Sequence, residues 1–455
     1  MRLIECWLSA YLEDGTTSNS PSRKLGKEPL ESKIEREKNP IKRLLMVLGP
    51  GLITGASDDD PSGIGTYTQA GASFGFATLW TAPVTLPMMA AVQLICAKIG
   101  MCSGMGLAAV LRKHYAHWVV YGAISLLVIA NTINAGADIG AIAAAINLLV
   151  PIPAVALVVP IAIGIVAFQI LGSYALISRI FKWLTLTLFA YIAAAFLAKP
   201  HWREVLWATV IPTIHIDHLY LMTLVAILGT TISPYLFFWQ ASQEVEEELS
   251  MGRETLEERE GATDAEIKIA EIDVNAGMLF ASLVFYFVIL ASAATLHVAG
   301  KTNIQTATEA AEALKPLSSG LASILFALGL IGSGFLAVPI LTGSSAYAIG
   351  EAFGWKCGLD EKFRGAPRFY AIIIVSTFVG MLINFLKIQP VTALFWTAVI
   401  NGVLAPPLLV MIMLVSNNRK VMGDRVNGKL TNFIGWTTAA VMSAAALGMF
   451  VTWGK

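Results

Sequence analysis

The sequence predicts an all-α polytopic membrane protein of about eleven spans, arranged as two inverted five-helix repeats whose first spans are broken. Three observations carry this expectation. Of 455 residues, 56% are hydrophobic and 14% charged, with a mean hydropathy of +0.68, which is far more apolar than a soluble domain. Stretches long enough to cross about 30 Å of hydrocarbon recur along most of the chain. Two of them, spans 1 and 6, carry a proline and a polar cluster near the middle.

In chain order, residues 1–43 contain SNSPSRKLGKEPLESKIEREKNP, which lacks an apolar face and is expected to be a cytosolic tail. Despite the short LIECWLSAY, no continuous apolar core follows a basic start, so no signal peptide is expected. The first repeat, 44–198, holds spans at 44–76, 77–100, 118–149, 152–171 and 183–198. The second, 219–416, holds spans at 219–243, 275–299, 318–349, 369–386 and 390–416, and an extra helix at 432–453 completes the membrane domain 44–453. Between spans 6 and 7, the charged segment 244–273 has mixed charges at helical spacing and is expected to be a solvated cytoplasmic helix.

Placing the N-terminus inside leaves only Lys199, Arg203, Lys301, Lys315, Lys387 and Lys455 outside, so 25 of the 31 basic residues are cytoplasmic. That asymmetry predicts a cytoplasmic N-terminus in the cell's cytoplasmic (inner) membrane. Net charge is zero, so no global field argues for nucleic acid. Cys6, Cys96, Cys102 and Cys357 form no CxxC pair and are expected to be inert packing thiols.

Span 1 carries ASDDDPSGIGTY from Ala56 to Tyr67. Pro61 cannot donate a helical hydrogen bond and disfavours the helix at Asp60, while Ser62, Gly63 and Gly65 loosen the backbone immediately after it. In span 6, Thr230, Thr231 and Ser233 precede Pro234. Irregular backbone at membrane depth persists only where protein buries it or it lines a polar cavity. Broken helices at matching places in two repeats therefore point to a secondary transporter with its site where the breaks meet. An aspartate at the bilayer centre costs roughly 2.5–3.5 kcal/mol, so three in a row imply a cation.

The donors near the breaks are the Asp60 carboxylate, three hydroxyls and freed main-chain carbonyls, with no His, Cys or Met. Hard oxygen donors suit magnesium, calcium and manganese, and sodium is left open by donor type alone. Gly63 and Ser233 leave room for waters that magnesium would retain. If the helix persisted, Asp58 and Asp59 would lie about 200° and 100° around it from Asp60. Asp60 is therefore the expected direct ligand, with Asp59 a candidate for direct or water-mediated contact and Asp58 lining the vestibule. Asp138 is an intramembrane acid beside Asn131 and Asn134. Asn401 precedes the Pro406–Pro407 kink and reads as an interhelical hydrogen-bonding group or a cavity residue.

GPGLITGASDDDPSGIGTYTQAGASFGFATLW resembles the first span of the NRAMP divalent-metal transporters, which carry Asp-Pro-Gly-Asn in a similar frame. GTTISPYLFFWQ is placed like the family's sixth-span segment with Met-Pro-His. The resemblance implies a leucine-transporter-type fold and a metal site between spans 1 and 6. It places Asp60 as ligand, Thr230 as a carbonyl donor, Gly63 where the family has its ligand Asn, and Ser233 where it has Met. Tyr235 and Gln240 replace two histidines of span 6, and in span 3 Ala135 replaces an acid while Asp138 keeps one. Those replaced groups serve proton movement in the family. This pattern is most similar to the NRAMP-related magnesium branch, which implies magnesium as cargo, manganese also admissible, no resident cofactor and no obligate protein partner beyond the bilayer. The alternatives are a proton-coupled manganese or iron transporter and a sodium-coupled carrier of amino acids or other organic solutes; three acids would repel a substrate carboxylate. An enzyme is not expected, because HExxH is absent and no intramembrane Ser/His or paired-Asp arrangement across spans is found.

Overall fold

The computed structural model describes Arg36 and residues 47–172, 174–304, 321–386 and 390–452. The expected tail 1–43 therefore lies, Arg36 apart, outside the described residues. Those residues are helical throughout their regular structure. The halves of span 1 are α1 (Pro50–Asp58) and α2 (Pro61–Phe74), followed by α3 (Thr81–Ser103), a short α4 (Leu107–His114), α5 (His117–Leu149) and α6 (Ala154–Leu171). Span 5 is α7 (Tyr174–Leu184) and α8 (Phe189–Leu197) joined by a 3₁₀ turn, and a short α9 (Trp202–Val210) comes next. The second repeat runs α10 (His218–Thr231), α11 (Pro234–Ser250), α12 (Asp264–Ser292), α13 (Leu321–Phe353), α14 (Pro367–Ile383) and α15 (Pro390–Ser416), with α16 (Lys429–Thr452) beyond it.

Nine of the described helices or joined helices are long and apolar enough to cross a membrane. The shorter Pro367–Ile383 and the two halves of span 1 account for the other expected spans. The chain is thus a multi-pass membrane protein. Its helices sort into two bodies. In one, α12 packs on α1, α2 and α3, and α11 packs on α3. In the other, α5 packs on α6, α13 and α14. Helix α15 lies against α2, α5 and α10, and so touches both.

The first body is held by very close backbone contact. A Cβ on Gly55 would lie 2.2 Å from the carbonyl oxygen of Gly277, and one on Gly277 would lie 2.1 Å from that of Gly51. Small residues let α1 and α12 approach where hydrocarbon offers no hydrophobic drive. The N-terminus of α1 is closed by a side chain from α12. Asp273 accepts hydrogen bonds from the backbone N–H of Gly49 (2.8 Å), Gly51 (2.7 Å) and Leu52 (3.0 Å). A carboxylate on unpaired first-turn donors answers both their hydrogen-bonding need and the helix dipole.

Two expectations are corrected here. Span 5 begins near Tyr174 rather than at 183, because Arg179 and Lys182 are carried inside the helix; the Lys182 amine reaches the Leu48 carbonyl instead of ending the span. The charged segment 244–273 is not one solvated helix: 251–269 are exposed or half-buried, but the acids at its two ends are enclosed. Helix α11 continues to Ser250, α12 starts at Asp264 behind a Thr263–Glu266 capping box, and Glu244, Glu246, Glu248 and Asp273 are 3–7% exposed. Distant partners bond Glu246 and Asp273, while Gln240 and Arg253 nearby in the chain bond Glu244 and Glu248.

Candidate metal site

Both breaks share one backbone plan. Helix α1 stops at Asp58, Asp59 takes φ −86°, ψ 47°, and Asp60 turns extended at φ −66°, ψ 167° before Pro61 opens α2. Helix α10 stops at Thr231, Ile232 takes φ −118°, ψ 57°, and Ser233 is extended at φ −75°, ψ 129° before Pro234 opens α11. Proline at the first helical position costs no hydrogen bond, because that N–H would be unpaired in any case.

The two breaks meet. A Cβ on Gly63 would stand 3.1 Å from both the Asp58 carbonyl oxygen and the Thr230 Oγ1, and 3.2 Å from the Tyr67 ring. Gly63 is thus the point where a side chain would crowd both breaks at once. A second link is the Tyr235 hydroxyl, which donates to the Ser57 carbonyl at 2.8 Å. Ser233 donates back into its own helix end, to the carbonyls of Gly229 (2.9 Å) and Thr230 (2.7 Å).

Asp60 is held on both oxygens. Oδ1 accepts from the Gly63 N–H at 2.6 Å, capping α2, and Oδ2 accepts from Asn134 Nδ2 of α5 at 2.9 Å. The Asn134 Oδ1 in turn accepts from Thr397 of α15 at 3.3 Å, and Thr397 and Ser62 both donate to the Leu394 carbonyl. The carboxylate most expected to touch an ion is therefore oriented by three elements, one of them from the opposite body. Asn134 and Thr397 are functional candidates that the sequence alone does not assign to the site. Their only local signal is spacing, since Asn134 lies one turn before Asp138 and Thr397 one turn before Asn401.

The other acids behave differently. Asp58 and Asp59 are fully enclosed, and none of their four carboxylate oxygens has a hydrogen-bond partner. Two expectations change with this. The helical-wheel separation does not apply, because the helix ends at Asp58 and the three acids sit in three different backbone conformations. Asp58 also faces no open vestibule here. Among the described residues no three His, Cys, Asp or Glu side chains are placed to hold one ion together, so the aspartates do not converge as a cage.

Asp138 is enclosed with both oxygens unpartnered, and Asn401 is buried with its Oδ1 unpartnered. Gln240 lies further along α11. It accepts from Thr54 at 2.6 Å and donates to Glu244 at 2.8 Å. His215 packs edge-on against Tyr220, and His218 is near Thr452. Cys96 and Cys102 are buried free thiols, and Cys357 is half-buried and free.

Residues 51–452 match the model of a family described as natural resistance-associated macrophage protein-like. Among solved structures, the chain is similar to the manganese transporter of Eremococcus coleocola, with 17% identity, a TM-score of 0.72, and 95% of this chain and 89% of that one covered. It is also similar to Mhp1, a nucleobase-cation-symport-1 family transporter in a closed conformation, at 17% identity and a TM-score of 0.56, with 89% of each chain covered. At these identities the likeness speaks for the fold: an all-helical, two-repeat membrane architecture.

Proposed function

The chain belongs to the natural resistance-associated macrophage protein-like family, a family of transporters and not of enzymes, and on that premise we propose that it carries a hard divalent cation, magnesium foremost, across the cytoplasmic membrane by alternating access. The observation that carries this reading is Asp60. It is a carboxylate 1% exposed at the meeting of two unwound helices, with one oxygen capping α2 at Gly63 and the other held by Asn134 of the opposite body. The residues of the two breaks offer oxygen donors, the freed carbonyls and the hydroxyls of Thr230 and Ser233, and include no His, Cys or Met. With neither sulfur nor imidazole at hand, a soft or late metal gains nothing there, whereas magnesium takes carboxylate and retained water.

We place Asp60, Thr230 and Ser233 in contact with the ion or its waters, Gly63 as the spacer that leaves room for them, and Asp59 as a further candidate ligand. Asp58, Asp138, Tyr235, Gln240 and Asn401 belong to the pathway around it. The N-terminal face, where α1 begins, is read as cytoplasmic. An inside-negative potential supplies about 2.3 kcal/mol per charge per 100 mV, doubled for a divalent ion, so uptake requires no proton.

A second reading is proton-coupled manganese transport. It is favoured by the similarity to a manganese transporter and by two buried carboxylates near the path, Asp138 beside Asn134 and Glu244 bonded to Gln240. Flux into proteoliposomes separates the two. Magnesium entry in the wild-type chain, abolished in Asp60→Asn and unaccompanied by internal acidification, is the expected result. Acidification in step with metal entry would sink the uncoupled reading, and manganese entry without magnesium entry would sink the preference for magnesium.

A further inference from the structure

At the N-terminal face, α11 of the first body and α13 of the second hold each other by a reciprocal pair of carboxylates. Ser242 and Glu246 are one turn apart on α11, and Tyr347 and Glu351 are one turn apart on α13. The Tyr347 hydroxyl donates to Glu246 at 2.6 Å, and the Ser242 hydroxyl donates to Glu351 at 2.8 Å. Each acid takes one further backbone donor: Leu359 N–H on Glu246 at 3.0 Å, and Ala108 N–H, in the first turn of α4, on Glu351 at 3.0 Å. Ser242, Glu246 and Tyr347 are 2–3% exposed. All four side chains line one cavity of about 1090 Å³, walled by the loops at 104–106 and 354–365.

We infer that this clasp is the inner gate, the contact that must part before the ion can leave on the N-terminal face. The inference rests on the alternating-access reading above and adds the residues that govern it. Helix α11 begins at the second break, so anything that frees α11 from α13 moves one wall of the ion site relative to the other body. Hydrogen bonds to charged groups are about twice as strong as neutral ones. Because both bonds join the same two helices, separating α11 from α13 breaks both together and leaves each acid only its backbone donor. The clasp is therefore closed or open as a unit, as a gate between two discrete packings needs to be. In this structure it is closed, and Asp58, Asp59 and Asp60 are sealed from solvent.

Cys357, on the cavity wall, provides a readout that does not depend on transport. It is half-buried, and burial pushes its thiol up from the ordinary cysteine value, so alkylation is slow while the clasp holds this wall in place. With Cys6, Cys96 and Cys102 replaced by alanine in the full-length chain, Ser242→Ala and Tyr347→Phe each remove one clasp donor. Each is expected to speed maleimide labelling of Cys357 about tenfold and to raise the apparent KM for external metal, since the outward-facing state is depopulated. Labelling at the wild-type rate in both variants and in their combination overturns the inference. Faster labelling with an unchanged KM also overturns it, because that is what a merely loosened loop would give.

Should a variant fold poorly, Ser242→Cys/Glu351→Cys in a Cys357→Ala chain tests the converse. Linking the two thiols with a short bifunctional reagent should stop flux and cleaving the link should restore it; undiminished flux through the linked chain sinks the gate. Repeating the labelling in Asp60→Asn keeps the two proposals apart, because clasp variants should still speed labelling there whatever the cargo turns out to be.

Discussion

The two helix breaks share a backbone and differ in chemistry. At both, a helix ends, one residue bends, the next is extended and a proline starts the second helix. At the first, the extended residue is Asp60, whose side chain reaches forward to cap α2 and outward to Asn134 of the other body. At the second it is Ser233, whose hydroxyl turns back to its own helix end. One break thus supplies net charge and a tie to the opposite body, and the other supplies dipoles already satisfied at home. Inverted repeats duplicate a way of unwinding helices in a membrane and leave each copy free to take a different electrostatic part.

If the charge resides at the first break alone, Asp60→Asn should have the largest effect. Asparagine still caps a helix, so α2 keeps its first turn while the site loses its negative charge. Metal flux is expected to fall at least about a hundredfold, about 2.7 kcal/mol, with little change in melting temperature. Flux within a few fold of wild type would dissolve the distinction between the breaks.

Next comes the tie to the other body. Asn134→Ala removes one of the two donors that orient Asp60, for about 1.5 kcal/mol or roughly tenfold in metal affinity measured by titration. An equal loss from Thr397→Val would mean that the whole Asn134–Thr397 chain positions the acid, whereas no loss would mean that Asn134 acts without Thr397.

The second break can be probed through its own extended residue. Ser233→Met introduces a thioether where the present donors are all hard, and should move the ratio of manganese to magnesium entry toward manganese by roughly three- to tenfold. Competition flux with both ions reads this ratio directly. A ratio that does not move would place Ser233 away from the ion.

How legible all this is in the sequence depends on whether the cause is local. Eleven apolar stretches and two prolines beside polar clusters are written in consecutive residues, and both breaks appear where Pro61 and Pro234 predict them. Asp60 can be singled out because Pro61 comes directly after it. Its partners cannot, since Asn134 is 74 residues away and the link depends on how two helix bodies meet. The acids of 244–273 mislead for the same reason. A run of glutamates looks solvated until Tyr347, 101 residues on, is seen bonding Glu246, and Gly51, 222 residues back, is seen bonding Asp273. Charge in a sequence says that a partner is needed, and the fold decides whether that partner is water.

The smallest expected effect lies at the direct bridge between the breaks. The Tyr235 hydroxyl donates to the Ser57 carbonyl at 2.8 Å, joining the first turn of α11 to the last turn of α1. Phenylalanine keeps the ring, which is 1% exposed, and so keeps the packing. What it removes is one neutral hydrogen bond, worth about 1 kcal/mol net, and it leaves a carbonyl at a helix end that retained water can reach in an ion-binding cavity. Tyr235→Phe is therefore expected to weaken metal binding about threefold to fivefold, with flux at saturating metal nearly unchanged. A loss as large as that of Asp60→Asn would mean that the breaks work as one unit with the tyrosine as its hinge, and the division of labour drawn between them would have to be given up.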